Sequence, residues 1–150
     1  FEENLQDEYQ IKYEKWEKGG YSQGNMSYNL YKNGELVAGV SNYNEDKSKV
    51  IIRHLENFSN EKGMATKLLF MLLDMGIIVE TGKPDYNSIS TNAYKMNKKI
   101  VDSINNSNGK YKATILGLAN NEGKEDQERY KDVAGKNTKN DNYHYRFEKI

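Results

Sequence analysis

The hydrophobic pattern of this 150-residue chain changes its period at Ser59. Before that point apolar and polar residues alternate, as in Tyr9-Gln-Ile-Lys-Tyr-Glu-Lys-Trp16, which is the period of half-buried strands. After it apolar residues recur at helical spacing without a β-branched run, at Ala65, Leu68, Leu69, Leu72 and Leu73. A short segment that is apolar on both faces follows at 77–79. This order predicts a β-α-β crossover that leads from Val50 to Val79.

The other elements are predicted from turn, strand and capping signals. Asn33-Gly34 is the dipeptide that best tolerates the two positive φ angles of a tight hairpin turn. A second helix is predicted to begin at Ser88 or Ser90, whose hydroxyls can cap it, and to reach Ile104. Besides 9–16 and 77–79, strands are predicted at 26–31, 36–40, 50–55, 110–118 and 143–150. The N-terminal third is therefore an antiparallel meander.

The length and the absence of an internal repeat predict one domain over residues 1–150. Its apolar share of 36% lies below the roughly 45 to 50% of ordinary domains, which predicts a modest core. Residues 120–142 form a polar tract that is either a solvated loop with one helical turn or disordered. Because the chain opens at Phe1 without a methionine, we expect a processed or trimmed N-terminus. The predicted fold class is α+β, with a mixed, mostly antiparallel sheet and two main helices.

Charge and composition exclude several functional classes. The 22 lysines and arginines balance 22 aspartates and glutamates, so no basic excess is present to hold a polyanion or an anionic membrane. With no cysteine and two histidines, thiolate chemistry and multi-histidine metal centres are excluded. No apolar run approaches the roughly 18 residues of a membrane span. We therefore expect no metal, no nucleic acid and no membrane as partners.

The passage from strand to helix carries the chemistry. In Leu55-Glu-Asn-Phe-Ser-Asn60-Glu-Lys-Gly63-Met-Ala65 a strand ends, and a glycine and an alanine sit two apart at the mouth of a helix. Small residues there let backbone N–H groups converge on an anion, and the helix N-terminus adds partial positive charge. A helix start with small residues is also common without any ligand. The spacing alone leaves both interpretations open.

This loop resembles the pyrophosphate loop of the GNAT N-acetyltransferase superfamily, Arg/Gln-x-x-Gly-x-Gly/Ala between the fourth strand and the third helix. Here it is Asn60-x-x-Gly63-x-Ala65, with asparagine in place of arginine or glutamine. The family's asparagine near the end of the fifth strand, and its tyrosine seven residues later, match Asn87 and Tyr94. The two matches cover about residues 48–100. The family's two helices after the first strand and its later Gly-Phe are missing. The resemblance therefore does not identify the acceptor substrate.

The resemblance implies a GNAT-like fold and an acetyl-CoA-dependent N-acetyltransferase. Acetyl-CoA would be the co-substrate, and an amine of a small molecule or a protein lysine would attack it directly in a ternary complex. Backbone amides of 61–66 would hold the pyrophosphate, and the amide of Leu55 would polarise the acetyl carbonyl. The implied cofactor-binding residues are Leu55, Asn57, Asn60, Glu61, Lys62, Gly63, Met64, Ala65, Thr66 and Asn87.

The resemblance also implies the catalytic residues. Glu56 or Glu80, directly or through water, would take the proton from the amine, and Tyr94 would protonate the departing thiolate. Two of these residues also have a simpler interpretation. Glu80 can be a solvated carboxylate at a strand end, and Tyr94 can be a packing residue. His54 shares a strand face with Glu56 by the period of two, and we interpret it as a satisfied or exposed sheet residue.

Two other functional classes stay open. A GNAT-fold module that binds or supports without catalysis is favoured by Asn60 and by the missing elements. A partner-binding effector is compatible with the small size and with an Asn-, Tyr- and Lys-rich composition typical of AT-rich phage or Gram-positive genomes. We expect a cytoplasmic location, or the virion or host cytoplasm if the protein is viral, and a monomer or dimer.

Overall fold

The structure is a computed structural model that describes residues 8–44, 46–82, 91–118 and 143–150. It contains two helices, α1 and α2, and seven strands, with a short 3-10 turn at Gly20–Ser22 between the first two. The helices are α1 (Met64–Asp74) and α2 (Thr91–Asn105). The strands are β1 (Tyr9–Lys15), β2 (Met26–Lys32), β3 (Glu35–Asn42), β4 (Lys49–Asn57), β5 (Ile78–Glu80), β6 (Tyr111–Leu118) and β7 (Tyr143–Lys149).

The seven strands form one mixed sheet in the order β1-β2-β3-β4-β5-β7-β6. Only β4 and β5 run parallel, and α1 connects them, so the predicted β-α-β crossover is confirmed. All other neighbours are antiparallel. The predicted fold class is therefore confirmed: α+β, with a GNAT-like, mostly antiparallel sheet, a central crossover and two helices.

Local signals placed the turns accurately and the element ends less so. Asn33 and Gly34 have φ angles of 50° and 85°, as the hairpin prediction requires. β3 and β4 each extend beyond their predicted ends because cross-strand pairing adds residues of weak strand preference. The predicted helix starts at Ser88 and Ser90, and the predicted polar tract at 120–142, lie outside the described residues.

Both helices contribute to one hydrophobic core on one face of the sheet, here called the helical face. The leucines of α1 are almost fully buried, at Leu68, Leu69, Leu72 and Leu73. Ile100 and Ile104 of α2 join the same cluster, together with Val50, Val79 and Phe147 from the central strands. Burial of side chains of this size is the main favourable contribution to stability. The helical face is therefore closed by α1 and α2.

The opposite face, here called the polar face, carries buried polar side chains of β2 and β3 such as Ser27, Asn29 and Ser41. The segment between β1 and β2 closes over it: the hydroxyls of Ser22 and Ser41 are 2.9 Å apart, and the Trp16 indole N–H donates to the carbonyl of Gly19. Gly39 permits this approach, since a Cβ there would lie 2.6 Å from Asn29 Oδ1 and 3.1 Å from the Trp16 ring. A tryptophan and a 3-10 turn thus occupy the chain position at which the resembled family has two helices.

Candidate functional site

The loop from β4 to α1 is braced by side chains within it. The Asn57 amide nitrogen donates to the carbonyl of Glu61 at 2.7 Å, while its oxygen accepts from the backbone N–H of Ser59 at 2.9 Å. The Ser59 hydroxyl in turn accepts from the Glu61 N–H at 3.2 Å. Asn60 is exposed and makes no hydrogen bond among the described residues. The loop is therefore held by Asn57 and Ser59 and not by Asn60.

The N-terminus of α1 has backbone donors that no side chain caps. Gly63 is its N-cap residue with φ 86° and ψ 3°, and no side chain caps the helix. The first helical hydrogen bond runs from the Lys67 N–H to the Gly63 carbonyl at 2.9 Å. No side chain caps the N–H groups of Met64, Ala65 and Thr66, and the turn over Lys62 and Gly63 closes from one of them onto the carbonyl of Glu61. These donors, with no acidic residue in the first turn, favour an anion.

Space and charge around this helix end also suit an anion. A Cβ built on Gly63 would meet no atom within 4 Å, so the backbone there is open to a ligand. The Lys67 ammonium lies 4.4 Å from the centre of the Tyr9 ring, and that of Lys32 lies 5.9 Å from it. Lys32 also pairs with Glu61 at 2.6 Å, which ties β2 to the loop. Lys67 of α1 thus contributes a cation on this side of the helix, whereas the charge of Lys32 is balanced by Glu61 of the loop.

The pairing of β4 with β5 ends well before the carboxyl end of β4. They pair at only three positions, the last being Ile51 with Glu80, whereas β4 continues to Asn57. A bulge on the β3 side places Arg53 between the paired residues Ile52 and His54. Among the described residues, the edge of β4 from Ile52 to Asn57 that faces away from β3 therefore has no strand beside it, and we call this edge the splay. Its cause is the three-residue length of β5.

The backbone N–H of Leu55 points into this splay. The Phe58 N–H donates to the Val37 carbonyl of β3 at 2.8 Å. Because N–H groups alternate sides along a strand, the N–H of Leu55, three residues earlier, points away from β3. β5 no longer pairs at that level, so this N–H has no partner among the described residues. It is placed to donate to an oxygen in the splay.

Glu56 and His54 lie on the polar face of β4 and contact each other. His54 Nε2 is 2.8 Å from Glu56 Oε1, and the two side chains are 41% and 49% exposed. The Trp16 ring packs edge-on against His54, with centroids 5.3 Å apart. A cavity of about 160 Å³ lies here, lined by His54, Glu56, Trp16, Gly19, Gly20 and Ser22 among others. We call it the Glu56 cavity.

The second candidate base, Glu80, is held by two cations. Its carboxylate is 6% exposed and lies 2.8 Å from Arg146 Nε and 3.2 Å from Lys49 Nζ. Lys49, Glu80 and Arg146 belong to the three neighbouring strands β4, β5 and β7. This carboxylate therefore ties the sheet together below the splay, and the structure does not bring it to the Glu56 cavity.

Two further residues were predicted for the site, Asn87 and Tyr94. Asn87 lies outside the described residues. Tyr94 belongs to α2, and its side chain is not among those described. Sequence reasoning missed Asn97, which is 4% exposed and whose amide nitrogen has no hydrogen-bond partner among the described residues. The sequence feature that could have identified it is an asparagine at helical spacing from the apolar residues Ile100 and Ile104 of α2.

Comparison with protein-family models, with curated proteins and with solved structures finds no match to this chain. Among the described residues no helix is both long and apolar enough to span a membrane. In the same part of the chain no three histidine or acidic side chains converge in a way that would hold a metal ion.

Proposed function

We propose that this protein is an acetyl-CoA-dependent N-acetyltransferase. One arrangement carries the proposal: a helix N-terminus without a side-chain cap and the unpaired β4 edge that contains the Leu55 N–H lie on the same β4-α1 connection. The first suits a pyrophosphate, and the second suits a thioester carbonyl. The distance along the chain from Leu55 to Gly63 is short and the loop between them is braced, so the two features are fixed relative to each other.

The α1 N-terminus would bind the pyrophosphate of acetyl-CoA through the N–H groups of Met64, Ala65 and Thr66. These donors are already oriented, which reduces the entropy cost of binding. Lys67, in the first turn of α1, adds positive charge near them, while the charge of Lys32 is balanced by Glu61. Gly63 lets the phosphates approach the backbone closely. The pantetheine arm would then extend into the splay between β4 and β5.

Transfer would take place between the Leu55 amide and the Glu56 cavity. The amine nitrogen attacks the acetyl carbon, and the Leu55 N–H donates to the carbonyl oxygen as negative charge develops on it. A new C–N bond forms, and the C–S bond breaks to release the CoA thiolate. Glu56 takes the proton that the amine loses, and Tyr94 or water protonates the sulfur.

Glu56 is a better candidate for the base than Glu80. Its carboxylate is half exposed in a cavity next to the splay, with one oxygen held by His54. Glu80 is engaged by Arg146 and Lys49, so accepting a proton would weaken two ion pairs. His54 would orient Glu56 and need not itself exchange protons.

Acetyl-CoA is expected to raise the melting temperature. A ligand that binds only the native state stabilises it by about 2.7 kcal/mol at a concentration of one hundred times Kd. For a chain of this size that corresponds to a shift of roughly 5 to 10 °C. Differential scanning fluorimetry over a range of acetyl-CoA concentrations measures it. An unchanged melting temperature in millimolar acetyl-CoA would contradict the proposed cofactor.

A further inference from the structure

A second cavity lies on the polar face, on the β1 side of Trp16. Its volume is about 220 Å³, and Glu14, Trp16, Asn29, Tyr31 and Leu36 contribute to its lining. We call it the Glu14 cavity. Trp16 lines both this cavity and the Glu56 cavity, so the two lie on either side of one ring. None of the proposed transfer chemistry uses Glu14.

The carboxylate of Glu14 is fixed by two donors from β2. The Asn29 amide donates to Oε2 at 2.8 Å, and the Tyr31 hydroxyl donates to the same oxygen. Asn29 is 4% exposed, and its own oxygen accepts from the Ser27 hydroxyl at 3.1 Å. Among the described residues nothing donates to Oε1 of Glu14. One carboxylate oxygen is therefore held in place while the other stays available.

This carboxylate is anionic at neutral pH. The hydrogen bonds from Asn29 and Tyr31 lower the pKa of Glu14 from its ordinary value. The same contact raises the pKa of Tyr31 to about 12, so the phenol keeps its proton and continues to donate. Glu14 is only partly buried, so this arrangement is not needed to compensate a buried charge. It instead holds a charged acceptor in one position.

Two other charged groups of the cavity are turned to partners within the chain. The Glu17 carboxylate accepts from the Gln23 amide at 2.9 Å, and the Lys18 ammonium lies 5.1 Å from the centre of the Phe58 ring. Lys15, the neighbour of Glu14 on β1, also lines the cavity and is exposed. Of the two carboxylates that line the cavity, Glu14 is the one that two donors hold in position.

The walls of the cavity suit an ammonium group. The Lys12 ammonium already lies 4.7 Å from the centre of the Tyr31 ring, so this ring accepts a cation in the structure itself. A carboxylate beside aromatic faces is a usual environment for alkylammonium groups. The volume exceeds the roughly 30 Å³ that one water occupies and leaves room for an alkyl chain.

We infer that the Glu14 cavity binds the ammonium group of a small aliphatic diamine or polyamine. Oε1 of Glu14 accepts from the ammonium, and the alkyl chain lies against Trp16 and Tyr31. Only one part of the inference rests on the proposed function, namely that the bound amine is the acceptor of the acetyl group. Binding itself needs neither acetyl-CoA nor catalysis. Lys12 competes with the ligand, since its ammonium lies over the face of the same Tyr31 ring.

The test is a titration of the acetyl-CoA-free protein with 1,5-diaminopentane, followed by fluorescence. Trp16 is the single tryptophan of the chain and lines both this cavity and the Glu56 cavity, so its emission reports binding and the Glu14→Gln variant assigns it to this site. We expect a saturable change with the diamine and none with 1-pentanol, which lacks the charge. Glu14→Gln should weaken the affinity about tenfold or more, because a charge-assisted hydrogen bond is lost. Lys12→Gln should strengthen it several-fold.

Controls separate this site from other effects. Glu35→Gln removes one negative charge from an exposed position and should leave the affinity unchanged. Lys12→Gln leaves the Ser27-Asn29-Glu14 hydrogen bonds intact, so its result stands even if Glu14→Gln unfolds the protein. Equal affinity in Glu14→Gln and wild type, no gain in Lys12→Gln, or an equal response to 1-pentanol would overturn the inference. Acetyl-CoA affinity, measured separately on the same variants, should not change, so failure here is distinguishable from failure of the proposed function.

Discussion

Gly63→Glu is expected to abolish acetyl-CoA binding while the fold persists. A Cβ there meets no atom of the described residues within 4 Å, so a glutamate side chain would extend into the space assigned to the pyrophosphate. Its carboxylate would repel the phosphates and block their approach to the N–H groups of α1. The φ of 86° at Gly63 adds strain of about 1 to 2 kcal/mol, which a folded domain tolerates. We expect at least about a hundredfold loss of affinity by calorimetry.

Gly76→Glu is the matched control for this substitution. Gly76 follows the other end of α1, has a φ of 84°, and a Cβ there also meets nothing within 4 Å. The two variants therefore carry similar backbone strain and the same added charge. Gly76→Glu should bind acetyl-CoA nearly as well as wild type, with an unchanged far-UV spectrum. Equal binding by Gly63→Glu and wild type would contradict the assigned loop.

Glu56→Gln is expected to lower turnover by roughly 10² to 10⁴-fold, the range for a positioned general base. Glutamine keeps the size of the side chain and an acceptor oxygen for His54, so the cavity should keep its shape. Acetyl-CoA affinity should change little, because the carboxylate lies on the polar face, away from the α1 N-terminus. Steady-state release of CoA thiol measures kcat, and calorimetry measures the affinity.

Glu80→Gln supplies the contrast. Its carboxylate pairs with Lys49 and Arg146, so removing the charge should lower the melting temperature. Turnover at a temperature where the variant is folded should change little. If Glu80→Gln lost turnover at full stability while Glu56→Gln kept it, the roles assigned to the two carboxylates would be reversed.

Local sequence signals were sufficient for the central crossover. The change of period at Ser59, the leucine stripe of α1 and the apolar segment that contains β5 are properties of adjacent residues, and all three are seen in the fold. The Asn33-Gly34 turn was predictable for the same reason, since positive φ angles are a preference of the residues themselves. The fold class followed from the order of these elements.

The geometry of the site depends on contacts between distant residues and was not predictable in the same way. The splay follows from β5 pairing with β4 over only three residues, which no pattern within β5 specifies. The Glu14 carboxylate depends on Asn29 and Tyr31, which the β1-β2 register brings beside it. Closure of the polar face by Trp16 depends on the missing side chain at Gly39. A single sequence contains no signal for such pairings.

Mass spectrometry of the acceptor tests the central claim most directly. The protein is incubated with acetyl-CoA carrying a labelled acetyl group and with 1,5-diaminopentane and spermidine as acceptors. The account predicts labelled N-acetylated amine that requires the protein and is nearly lost with Glu56→Gln. Contradiction would come from a wild-type protein that binds both acetyl-CoA and the amine at saturating concentrations yet forms no acetylated product. That result would identify the fold as a binding module without transferase activity.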